Sequence, residues 1–104
     1  MTVEGSPDWR TSDIKDLLET IVRLETEPEA ERLFRDLCTL SELEAMAQRW
    51  RVVRLLNQGL PYQEISQLTG ASTTTVTRVA HWLRRGEGGY REALARPAKK
   101  ATGA

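Results

Sequence analysis

Apolar residues along this chain recur every three or four positions between polar stretches, and that spacing predicts helices throughout. Ile14, Leu17, Leu18, Ile21 and Val22 form one stripe, the pattern of a helix with one face against a core. Ser12 is the expected cap of that helix. Thr26-Glu27-Pro28 stops it and starts a second. Proline suits a first helical turn, and Glu27, Glu29 and Glu31 favour the positive helix N-terminus. The second helix presents Ala30, Leu33, Phe34 and Leu37 and runs to about Cys38. Thr39-x-x-Glu42 has the form of a capping box. It opens the longest helix, about Leu40 to Gln58, with Leu43, Met46, Ala47, Trp50, Val53 and Leu56 toward a core and Gly59 as its stop. No sustained alternation and no Asn-Gly or Asp-Gly turn competes, so the fold class is all-α.

The pattern then tightens. Pro61 starts a short amphipathic segment that ends at Gly70, and a turn of Gly70, Ala71 and Ser72 leads into a second segment that Gly86 ends. Two helices joined by so tight a turn form a helix-turn-helix, expected over about 61–85. Gly70 supplies the positive φ of a sharp helix exit, and Ser72 is a good N-cap. Ile65, Leu68, Ala71, Val76 and Val79 are the apolar residues on the sides where the two helices meet. Helix geometry accounts for all of these. It does not account for Thr73, Thr74, Thr75 and Thr77, because β-branched residues lower helix propensity. Those threonines and Arg78 are available to an outside partner. In DNA-binding versions of the motif the second helix enters the major groove and its N-terminal residues meet base edges.

Charge sharpens this picture. The 104-residue chain has zero formal net charge, which by itself argues against nucleic acid. Yet residues 1–48 hold 12 acidic and 5 basic residues, and residues 49–104 hold 3 acidic and 10 basic. The first part is therefore −7 and the second +7, an asymmetry that suggests a polyanionic partner for the second. Arg54, Arg78, Arg84, Arg85 and Arg91 are the candidate phosphate contacts. Residues 1–11 read as a flexible arm, residues 12–95 as one domain, and residues 96–104 as a disordered tail. A flexible break at Glu87-Gly88-Gly89 precedes a short helical turn at Tyr90 to Ala95. The two N-terminal helices are too short to close a large core alone. Their stripes are covered either by a second copy of the chain or by folding back onto Trp50 and Val53.

Candidate chemistry adds little. Cys38 is a lone cysteine, read as a small buried apolar side chain. His81 has no partners at metal-ligand spacing and is expected to be structural, among Trp82 and apolar neighbours. No metal and no cofactor is expected. No Ser/His/Asp set, paired carboxylates or phosphate loop indicates an enzyme. No apolar run approaches a membrane span and no signal-peptide core follows Met1, so the expected location is cytoplasmic, with no membrane partner.

Several short motifs together resemble one family. Asp36-Leu37-Cys38-Thr39, Ala47-Gln48-Arg49, Gly70-Ala71-Ser72-Thr73 and Gly89-Tyr90 are similar to the Trp-repressor superfamily, most closely its YerC/YecD-like branch, over about Ile14 to Tyr90. The resemblance implies an intertwined all-helical homodimer, a helix-turn-helix in each subunit, and a bacterial DNA-binding transcriptional regulator. It implies contacts with double-stranded DNA at Tyr62, Gln63, Ser66, Ser72, Thr73, Thr74, Thr75 and Thr77. In the Trp repressor itself tryptophan is held between the subunits. Thr39, Arg49 and Arg78 match residue types of that effector pocket. Val79 and Trp82 stand where the repressor has a small glycine and a serine, and they are expected to fill the space an indole needs. The expectation is therefore DNA binding without tryptophan, and the residues name no other small effector. The alternative is a helix-turn-helix adaptor that binds an acidic protein partner and no specific DNA.

Overall fold

The computed structural model describes residues 8–97. Among them the helices are α1 (Ser12–Val22), α2 (Glu27–Leu37), α3 (Leu40–Asn57), α4 (Tyr62–Thr69), α5 (Thr73–Arg85) and α6 (Gly89–Ala95), and there is no strand. The chain divides into two compact units between Leu43 and Glu44, inside α3.

Local capping organises the first unit. The Thr11 hydroxyl, not that of Ser12, accepts the Ile14 N–H at 3.2 Å. Thr11 is extended (φ −69°, ψ 169°) and Ser12 already helical, and a capping hydroxyl must stand on the non-helical residue to reach the first turn. Thr11 thus belongs to the helix start and not to a loose arm; residues 1–7 of the expected arm lie outside the described residues. Thr26 caps α2 by accepting the Glu29 N–H at 3.3 Å, and the Glu29 carboxylate accepts the Glu25 N–H at 2.9 Å. The capping box opening α3 is reciprocal: Thr39 N–H donates to Glu42 Oε1 at 2.8 Å, and Glu42 N–H donates to Thr39 Oγ1 at 3.0 Å. No residue of α1 or α2 is buried. Cys38, expected in a core, is half-buried, because it ends α2 in extended backbone.

The second unit holds the core. Val52, Val53, Ile65, Ala71, Val76 and Val79 form one buried cluster, with Trp50, Leu55, Leu56, Leu60, Leu83, Tyr90 and Leu94 packed against it. Two expectations change here. Met46 and Ala47 are exposed, whereas the adjacent Val52 and Val53 are both fully buried. Neighbouring positions on a helix lie about 100° apart, so a single stripe through Val53 omits Val52. Leu68 is also exposed, at 48 %. The buried surface that Val76 and Val79 offer reaches Ile65 and Ala71 but not the last turn of α4.

Polar groups close the turn between α4 and α5. Gly70 adopts φ +79° and its N–H donates to the Ser66 carbonyl at 2.9 Å. The Ser66 hydroxyl donates to the Ala71 carbonyl at 2.5 Å. The Thr69 hydroxyl donates to the Ile65 carbonyl at 2.8 Å and accepts the Ala71 N–H at 3.1 Å. From α3, the Gln48 amide donates to the Thr69 carbonyl at 3.1 Å. These bonds satisfy backbone groups that the end of α4 would otherwise leave unpaired.

At the far end of α5, Gly86 is required for space. A Cβ there would stand 2.5 Å from the Trp82 carbonyl oxygen. Beyond it α6 is a helix of seven residues rather than a single turn. Arg91 ties it back: its guanidinium donates to the carbonyls of Leu83, at 3.0 Å, and Arg84. Of the expected tail, Arg96 and Pro97 are exposed, and residues 98–104 lie outside the described residues.

The two glycines predict different losses. A Cβ on Gly70 would meet only Gln48 Nε2, at 3.8 Å, an ordinary contact, so Gly70→Ala should cost only the left-handed dihedral, about 1–2 kcal/mol. Gly86→Ala forces the backbone to move and should destabilise through the geometry of the last turn of α5. Urea unfolding of both variants measures the difference, and unchanged stability in Gly70→Ala would contradict the turn described.

Candidate functional site

The face of α5 follows from what the helix buries. Val76, Val79 and Ala80 are in the core, at 0, 2 and 2 % exposure. At about 100° per residue, Thr74, Arg78 and His81 then come out on the opposite side, with Thr77 beside them. All four are exposed, as is Thr73 in the first turn. Thr73, Thr74, Thr77, Arg78, His81 and Trp82 together line one shallow groove built wholly by α5.

The residues expected to meet DNA fall into two groups. Ser66, Ser72 and Thr75 are occupied by the fold. Ser66 is half-buried and bonded to Ala71. The Ser72 hydroxyl accepts the Thr75 N–H at 3.0 Å and donates to Thr75 Oγ1, also at 3.0 Å. Tyr62 is half-buried at the start of α4, and its hydroxyl accepts a hydrogen bond from the Arg84 guanidinium. That bond couples two expected contact residues to each other and ties the ends of α4 and α5 together. In contrast, Thr73, Thr74 and Thr77 make no side-chain hydrogen bond among the described residues. Arg78 makes no ion pair among them. Gln63, Arg54 and Arg85 are exposed. Arg91 is committed to the end of α5, which removes it from the free cations.

His81 was expected to be structural. It is exposed, and its ring meets the Trp82 indole edge-on, with centroids 5.0 Å apart and planes at 76°. It stands four residues after Thr77, so continuing the threonine stripe by one turn would have found it. Gln48 and Arg91, which hold the ends of α4 and α5, carry no such signal, since their partners are backbone carbonyls supplied by the fold.

The expected effector pocket divides. Arg49, Arg78, Val79 and Trp82 line one groove of about 480 Å3, together with Ala45, Gln48, Thr75 and Tyr90. Val79 has withdrawn into the core, but Trp82 is 51 % exposed. The groove is therefore not filled as the sequence suggested: the indole forms a wall and space remains beside it. Thr39 belongs to the other unit, where its hydroxyl and N–H are engaged in the cap of α3. Among the described residues no group of three or more His, Cys, Asp or Glu could hold a metal ion. No described helix is long and apolar enough to cross a membrane.

Comparison with known proteins bears on this geometry. The family model described as Trp repressor protein matches residues 12–98. The chain belongs to the Trp repressor protein family. Within it, YerC of Bacillus subtilis, an uncharacterized protein, is 40 % identical over 87 residues, 84 % of each chain. The solved structure of a TrpR-like protein from Eubacterium eligens is 34 % identical, with a TM-score of 0.77 over 86 % of this chain and 96 % of that one. A second solved structure, from Staphylococcus aureus, is 36 % identical with a TM-score of 0.77, covering 82 % of this chain and 85 % of that one. The Trp-repressor-like all-helical fold is thus common to this chain and both solved relatives.

The two groups of hydroxyls should respond differently to removal. Ser72→Ala loses the cap of α5 and should cost about 1 kcal/mol of stability. Thr73→Ala or Thr74→Ala removes an exposed side chain that has no partner among the described residues and should stay within about 0.5 kcal/mol of the wild type. Thermal unfolding separates them, and a loss at Thr74 equal to that at Ser72 would show that Thr74 also serves the fold.

Proposed function

We propose that this protein is a sequence-specific DNA-binding transcriptional regulator. In this reading residues 12–95 are the DNA-binding domain and α4, the Gly70 turn and α5 are its helix-turn-helix. The observation that carries it is the outward face of α5: Thr73, Thr74 and Thr77, exposed and without side-chain partners among the described residues, beside the Arg78 guanidinium, which makes no ion pair among them. Threonine methyls can contact thymine methyls, and the hydroxyls can bond either base edge or a bridging water. Arg78, Arg84 and Arg85 supply phosphate contacts, which set affinity and register more than sequence choice. Gln63 opens the preceding helix, whose N-terminus suits a phosphate. Membership of the Trp repressor protein family supports the same reading.

The active form we infer is a homodimer. Leu17, Leu18 and Val22 of α1, Leu37 of α2 and Leu40 of α3 are exposed in the protomer, and neither α1 nor α2 buries a residue. Covering a leucine or valine stabilises by about 1.5–3 kcal/mol, and a second copy can do so with two-fold symmetry. Two recognition helices would then meet successive major grooves about 34–36 Å apart. Light scattering at micromolar concentration should give twice the 11.8 kDa chain mass; a stable monomer would contradict this.

DNA binding is further inferred not to need tryptophan. Val76, Val79 and Ala80 anchor α5 in the core, and Arg91 holds its end, so its position does not wait on an added indole. The test is selection of bound sites from random DNA, followed by affinity measurements against salt. Arg78→Ala should weaken all duplexes alike and lower the slope of log K against log salt by roughly one. Thr77→Ala should cost ~1–3 kcal/mol on the selected site and little on random DNA. Added L-tryptophan should change neither affinity. Salt-insensitive binding or none would favour the adaptor reading, and tightening by tryptophan would restore the ligand's role.

A further inference from the structure

We propose that His81 is a further DNA contact, one that depends on its proton, and that it lengthens the reading face of α5 by a turn. This rests on the DNA-binding reading above and adds a residue and a regulation to it. His81 is exposed four positions beyond Thr77, so the two side chains are surface neighbours on the helix. It lines the same groove as Thr73, Thr74, Thr77 and Arg78. Its ring nitrogens make no hydrogen bond among the described residues. The edge-on contact with Trp82, at 5.0 Å, restricts the ring without using those nitrogens. A donor held in place on a partner-facing surface, and without an internal partner, is what a phosphate oxygen can accept from.

The charge around His81 favours an anion. Among the described residues the groove is lined by α5 alone. Arg78 is the charged residue that lines it, and no carboxylate among the described residues does. Arg84 and Arg85 follow in the last turn of the same helix. A neutral imidazole offers one N–H, whereas the protonated ring offers two and a positive charge. Histidine is the residue type that ordinarily changes charge between about pH 5 and 8, and this chain contains only one. The sign is determined by the phosphate. DNA favours the protonated ring, so binding takes up a proton, and affinity rises as pH falls and declines as pH rises. Trp82 is a positioning residue in this scheme, acting through the ring it supports.

The experiment measures binding of the full chain to a random-sequence duplex by fluorescence anisotropy at pH 5.5, 6.5 and 7.5, each over a range of salt. For the wild type, affinity should fall with rising pH by at most about tenfold per pH unit for each proton taken up. The salt slope should be steeper at pH 5.5 than at pH 7.5 by roughly 0.9 for each added phosphate contact. His81→Asn, uncharged throughout, should be flat in pH at the weaker level. His81→Lys, charged throughout, should be flat at the stronger level and keep the steep salt slope at pH 7.5. The same pH dependence in wild type and His81→Asn would overturn the inference, as would a wild type whose binding does not vary with pH. Absence of DNA binding at every pH would remove the DNA-binding reading itself, a result distinct from binding that is merely flat.

Discussion

The orientation of α5 depends on three side chains. Val76, Val79 and Ala80 are buried within five residues of one helix, and their burial sets its rotation. Once Val76 and Val79 join Val52, Val53, Ile65 and Ala71 in one cluster, helical geometry decides where every other residue of α5 goes. Arg78 has to emerge on the far side, with threonines before it and His81 after it. The apolar core is therefore what presents the polar face, and a substitution at Val76 would act on that face without touching it.

The ends of the two motif helices are held by different means. At the turn, Gly70 takes the left-handed backbone, while Ser66, Thr69 and Gln48 bond the carbonyls and N–H groups around it. At the far end, Arg91 of α6 bonds two carbonyls of α5, and Arg84 bonds the Tyr62 hydroxyl at the start of α4. These contacts engage polar side chains within the fold while leaving Arg84 and Arg91 exposed. A serine or arginine near a helix end has two employments available, capping or external contact, and the cap wins wherever an unpaired backbone group lies within reach. Thr73, Thr74, Thr77 and Arg78 of α5 remain exposed with no side-chain hydrogen bond among the described residues.

The first unit poses the opposite situation. Its helices are well capped, by Thr11, Thr26 and the Thr39–Glu42 box, yet they bury nothing completely. Caps and propensity decide where such helices start; they do not supply the free energy that packing does. The exposed leucines and Val22 are apolar surface that the segment itself does not bury.

Much of this was legible in the residues alone. The 3.6-residue apolar period, the capping box, Gly70 and the Ser72 cap located the helices to within one or two residues, save the end of α1, because those signals act between near neighbours in the chain. The threonine stripe marked an exposed side of α5 for the same reason. What tertiary structure decided was the use of each polar group and the limit of each apolar stripe. Val52 joined Val53 in the core, Leu68 stayed out, and Arg91 turned inward to a helix end. Trp82 became a groove wall instead of a filler, and His81 came to the surface beside it. The places of Val52, Leu68 and Arg91 depend on what another element brings within a few ångströms, a distance in space that spacing along the chain does not encode.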